Sequence, residues 1–137
     1  MPKPNFTGTW KFNPKLSSLQ IKPPESTIFV IDHQDKKLRL QRKHLFEGKE
    51  DIFSIELEIN GNEVITAGND YNVSSSAYWE SKTLVFNSTI FRKDLKAANI
   101  VRYSLSSDGN VITAQEHFRS AELNYDNIWI MDKIKRK

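Results

Sequence analysis

Apolar and polar residues alternate with a period of two along most of the chain. Residues 52–59 are the cleanest case, with Phe53, Ile55, Leu57 and Ile59 on one parity and Ser54, Glu56 and Glu58 on the other, as in a strand with one buried face. Residues 5–12 put Phe6, Gly8, Trp10 and Phe12 on an aromatic face and Thr7, Thr9 and Lys11 on a polar one, which predicts the first strand. Residues 26–32 and 37–46 predict a hairpin over the polar turn His33-Gln34-Asp35-Lys36, and on the second arm Leu38, Leu40, Arg42, His44 and Phe46 share the inner parity. Asn60-Gly61 then reads as a type I′ hairpin turn into 63–67. Strands follow over 73–79, with Val73, Ser75, Ala77 and Trp79 inward, and over 83–91, with Leu84, Phe86, Ser88 and Ile90 inward. Residues 92–99 read as a charged connection with room for one helical turn. A second hairpin joins 100–105 to 111–119 through Ser106-Ser107-Asp108-Gly109, and 127–134 is the last strand.

Residues 13–24 hold three prolines and two serines, too broken for a long helix and suited to an irregular lid or crossover. Short strands joined by tight polar turns, without an amphipathic helix between them, predict antiparallel neighbours in chain order. Such a meander has two exposed edges, and closing it removes them. The expected fold is therefore all-β, an antiparallel up-and-down barrel of about 8–10 strands in one domain spanning 1–137, with a β-sandwich as the alternative. Gly8 leaves room beside Trp10, and the stem of Lys133 on the last strand can lie across that indole, so the first and last strands are expected to meet. On 111–119 the matching parity puts Ile112, Ala114, Glu116 and Phe118 inward, and on the last strand Trp129, Met131 and Lys133.

Gly8-Thr9-Trp10 with a basic residue on the last strand resembles the lipocalin and calycin signature, in which a Gly-x-Trp motif is covered by a terminal Arg or Lys. A wider set of segments is similar to small bacterial lipocalin-like domains: 5–11, Pro24-Glu25-Ser26, Lys37-Leu38-Arg39-Leu40, Trp79 before Lys82-Thr83-Leu84-Val85, 104–110, and Asp132-Lys133. The resemblance implies a barrel with a ligand space. Asn69-Asp70-Tyr71 is similar to the lipocalin Thr-Asp-Tyr motif, but no C-terminal helix follows the last strand, and there is no space for the helix pair that caps fatty-acid-binding proteins.

Composition narrows the function classes. The chain has 137 residues, 38% hydrophobic and 27% charged, and no cysteine, so a disulfide framework and thiol chemistry are excluded. No apolar run reaches the ~18 residues of a membrane-spanning helix. The start lacks the apolar segment of a signal peptide, which predicts a cytosolic protein or a mature secreted one whose leader has been removed. The net charge of +3 is gathered largely in 133–137, the pattern of a solvated tail rather than of a nucleic-acid face.

The expected partner is thus a small apolar or amphipathic molecule held inside the barrel. Its wall would comprise Leu40, Arg42, His44, Phe53, Ile55, Leu57, Trp79, Phe86, Tyr103, Glu116, Phe118 and Trp129, while Gly8, Trp10 and Lys133 close the structure. Arg42 and Glu116 are costly in an apolar interior unless they pair, meet water or meet a ligand, so they are either a structural pair, residues at a wet barrel end, or an anchor for ligand polarity. His33, His44 and His117 lack metal-ligand spacing, and no nucleotide, dinucleotide or nucleophile-elbow motif occurs, so no cofactor or metal is expected. A cofactor-free barrel enzyme using Glu116, Tyr103 and His44 for acid–base chemistry is one alternative, and a filled barrel that binds protein on its outside is another. Three Asn-x-Ser/Thr sequons, at Asn5, Asn72 and Asn87, fall on strand positions and read as chance.

Overall fold

A computed structural model describes residues 3–67 and 71–134; Asn69, Asp70 and the basic tail 135–137 lie outside the described residues. Ten strands follow one another: β1 (Gly8–Phe12), β2 (Ser26–Gln34), β3 (Lys37–Phe46), β4 (Lys49–Glu58), β5 (Val64–Ala67), β6 (Asn72–Glu80), β7 (Thr83–Arg92), β8 (Leu95–Leu105), β9 (Val111–Ser120) and β10 (Asn124–Lys133). They form one antiparallel sheet in the order β4-β3-β2-β1-β10-β9-β8-β7-β6-β5. Apart from β4 and β5, strands adjacent in sequence pair with one another, and β1 pairs with β10, so among the described residues the sheet curls into a barrel whose one unpaired seam lies between β4 and β5. No sandwich is formed.

That open seam corrects the expectation at Asn60-Gly61. A type I′ turn needs positive φ at both central residues, yet here only the glycine has it, at 83°. The dipeptide instead carries the chain across the barrel end, where Gly61 N–H donates to Ala77 C=O on β6 at 2.9 Å and Ile59 N–H to Lys36 C=O at 2.7 Å. The free edge of β4 is protected by charge: Arg39 on β3 meets Glu56 at 2.9 Å, and Lys43 meets Glu50, on the outer face.

A second correction falls at 92–99. There is no helical turn; Lys93 takes a positive φ of 53° in a tight turn, and β8 begins at Leu95. The charged residues hide a strand because much of its first half lies near the exposed rim. Likewise β2 runs through His33 to Gln34, and the turn is confined to Asp35-Lys36. His33 is therefore a buried strand residue, 5% exposed, rather than a turn residue. Its Nδ1 accepts from Phe6 N–H at 3.3 Å and its Nε2 lies 3.0 Å from Asp35 C=O, which fixes the tautomer with the proton on Nε2.

The segment 13–24 forms no helix, and its Leu19 and Ile21 pack against the core. It continues the line of β1 along β10, with Asn13 N–H donating to Ile130 C=O and Ser18 exchanging both backbone bonds with Ile128, each at 2.8 Å. Side chains complete the seam: Gln20 N–H donates to Asn127 Oδ1, and Gln20 Oε1 accepts from Asp126 N–H, both at 2.7 Å.

The core fills one end of the barrel. Phe6, ahead of β1, forms a triangle of rings with His33 and Trp79, at ring-centre distances of 6.2 and 6.3 Å from them, and they lie 5.9 Å from each other. Trp10, Leu38, Ile112 and Met131 are fully buried beneath it. Trp10 pairs in register with Lys133, whose Nζ lies 5.6 Å from the indole centre, and Trp10 Nε1–H donates to Phe6 C=O at 3.0 Å. Gly8 has φ 151°, a backbone conformation that favours glycine, and an added Cβ would stand 3.0 Å from Lys133 Cε and 3.4 Å from Trp10 Nε1, so a side chain would also crowd the lysine stem.

Candidate functional site

The other half of the barrel is hollow. A cavity of about 410 Å³ lies between β2, β3 and β4 on one side and β6 to β10 on the other. Period-two alternation is what delivers its lining: Leu40, Arg42 and His44 from β3, Phe86, Ser88 and Ile90 from β7, Asn99, Val101 and Tyr103 from β8, and Ala114 and Glu116 from β9. Asp51, Tyr71 and Arg92, all exposed, sit at its rim. The volume is in the range of small-molecule sites, and the wall is mainly apolar and aromatic with a few polar groups.

Of the wall residues expected from the sequence, Leu40, Arg42, His44, Phe53, Phe86, Tyr103, Glu116 and Trp129 line this space together. Ile55, Leu57 and Trp79 belong to the packed core at the other end. Phe118 is not in the cavity wall, since it stacks flat on Tyr125 at 4.7 Å. Asn99 is not anticipated because 92–99 reads as a connection, and Val101, though in the predicted strand 100–105, is not among the expected wall residues; the Tyr103-Val101-Asn99 parity is the signal that finds both. Ser88, inward by parity, shares a buried hydroxyl contact with Ser75 at 3.2 Å.

Arg42 and Glu116 do not pair with each other; each has its own partners. Arg42 Nη2 donates to Asp51 Oδ2 at 3.4 Å and the guanidinium lies over Phe53, 5.4 Å from the ring centre. Glu116 is held by three neutral donors: Asn127 Nδ2 at 2.8 Å and Trp129 Nε1 at 2.9 Å on Oε1, and Asn99 Nδ2 at 3.0 Å on Oε2. Three N–H groups replace the hydration that the carboxylate loses in the wall. Of the three alternatives for these two residues, the structural pair is not formed; formal charge suggests it, but two asparagines and an indole hold the carboxylate.

Trp129 stands between Glu116 and His44, which stacks on the indole at 5.6 Å and lies 2.6 Å from Thr27 Oγ1 through Nδ1. Burial, reinforced by the Arg42 charge, lowers the pKa of His44 to about 4, so its imidazole is neutral near pH 7. Burial, then the charge of Glu116, raises the pKa of Tyr103 far above its ordinary range and pushes that of Tyr125 up to about 12. Both phenols are therefore protonated. Among the described residues no cluster of His, Asp and Glu could hold a metal ion, and no helix is long and apolar enough to cross a membrane.

The architecture is that of a calycin-like β-barrel. Neither a protein-family model nor a curated protein sequence matches the chain. Solved structures do match over nearly the whole length. Secretory abundant heat soluble protein 4 from Ramazzottius varieornatus has a TM-score of 0.66 at 14% identity, covering 98% of this chain and 99% of that one. A Schistosoma mansoni fatty acid binding protein in complex with arachidonic acid has 0.59 at 12%, covering 95% and 96%. A zebrafish ileal bile acid-binding protein complexed with cholic acid has 0.60 at 12%, covering 94% and 98%. At such identities the likeness is one of fold.

Proposed function

We propose that this protein binds a small, largely apolar molecule in the hollow half of its barrel. The observation that carries the reading is the cavity of about 410 Å³, walled by Phe29, Leu40, Phe86, Val101 and Trp129 and open at one end, in a barrel whose other end is packed solid. The arachidonic acid and cholic acid complexes of two barrels of the same fold support it. In this reading the chain is a single binding domain, cytosolic or a mature secreted form, and the narrower kinship is with small bacterial lipocalin-like domains. Leu40, Phe53, Phe86, Tyr103 and Trp129 hold the apolar body, and Arg42, His44 and Glu116 set its orientation.

A binding role is favoured over acid–base catalysis by the state of the polar groups. Glu116 is tied into three hydrogen bonds, Tyr103 keeps its proton, and the Trp129 indole separates Glu116 from His44. Native mass spectrometry of protein purified from its source cells tests the reading: a co-purifying small molecule, released on acid unfolding, is expected. A bare chain that also fails to take up the neutral apolar dye Nile red would refute it.

A further inference from the structure

The cavity's polar residues differ in what they still have to offer, and that difference bears on ligand chemistry. Glu116 carries a formal negative charge, yet its hydrogen-bonded neighbours, Asn99, Asn127 and Trp129, are all neutral. A carboxylate has about four acceptor sites, and three are occupied, leaving one on Oε2. Beside it, Asn99 Oδ1 is buried without a hydrogen-bond partner. Turning the Asn99 amide over would set two acceptors against each other 3.0 Å apart, so this orientation is fixed by Glu116. The unused capacity at this point of the wall is therefore one charged and one neutral acceptor.

We propose that the ligand's polar end is a hydrogen-bond donor, a primary ammonium being the best match, received by Glu116 and Asn99. The proposal rests on the ligand-binding reading of the cavity. An ammonium supplies three donors and the positive charge that Glu116 lacks; a carboxylate at the same place would meet like charge and an acceptor with no proton to share. The competing arrangement is an acid held by Arg42, whose Nε also lacks a partner. Arg42 already has Asp51 beside it at 3.4 Å, whereas among the described residues no cation is hydrogen-bonded to Glu116. The overall charge of +3 works against an amine, so a preference for one would reflect the local site.

The test is competition for bound Nile red at pH 7 by octylamine, 1-octanol and octanoate, which share one chain length. Octylamine is expected to bind about tenfold more tightly than octanoate, the size of one hydrogen bond to a charged group. In Glu116→Gln the amide can keep the bonds from Asn127 and Trp129 and donate to a reversed Asn99, so folding is preserved and the amine-to-acid ratio should fall to about one. Octanoate binding as well as or better than octylamine, or a preference that survives Glu116→Gln, overturns the proposal while octanol competition keeps the cavity reading intact. If the dye does not bind and no competitor is taken up, both fall together.

Discussion

Trp10 illustrates how one residue ties sequence to closure. Its ring is fully buried, its N–H is bonded to Phe6, and Lys133 lies across it. Trp10→Ala is expected to cost roughly 3–5 kcal/mol, and Lys133→Met less than about 1 kcal/mol, because the stem does most of the covering. Urea unfolding checks both; a Trp10→Ala variant as stable as wild type would remove this ring from the core. His44 makes a pH-dependent prediction. Its folded pKa of about 4 lies below the unfolded value of 6.5, so below pH 6.5 the unfolded chain binds the proton first. Its contribution is fully present above 6.5 and is lost as pH falls towards 4, by at most about 3 kcal/mol given partial exposure. Unfolding free energies between pH 7 and 4.5 should fall less steeply in His44→Asn than in wild type; parallel slopes would show that His44 is not buried neutral.

At the scale of elements, the strap 13–24 is the least regular piece and yet the most tightly addressed to one strand. Asn127 is its anchor, 2% exposed, accepting from Gln20 N–H on one side and donating to Glu116 on the other. Asn127→Leu removes both bonds and is expected to destabilise by about 2–4 kcal/mol, with faster amide exchange at Gln20 and Ser18. Unchanged exchange there would mean that the strap is held by its backbone bonds alone. Most strands were legible because alternation depends only on which face is buried, and 37–46 was read to the residue. The failures share a physical cause. At Asn60-Gly61 the local turn preference was met by a glycine serving a different partner, β6, which local sequence does not reveal. At 92–99 the alternation was masked because residues near an exposed rim need not be apolar. Phe118 kept the inner parity but left the cavity by pairing with Tyr125.

For the whole molecule, the division into a packed end and a hollow end is the property on which function depends. Composition could not show it, since both halves draw on the same apolar residues and both hold large rings. Phe6, Trp10 and Trp79 lie in the packed end, while in the cavity wall the small residues Ser88, Val101 and Ala114 stand among the rings and leave space between them. The most direct measurement is a Nile red titration of wild type beside Val101→Trp, which replaces a cavity-lining residue with a ring large enough to occupy much of the space. Saturable binding by wild type, lost or weakened by about tenfold or more in a Val101→Trp variant that melts within a few degrees of it, is the predicted result. Equal binding by the two folded proteins would contradict the account, because the dye would then be sitting somewhere other than inside the barrel.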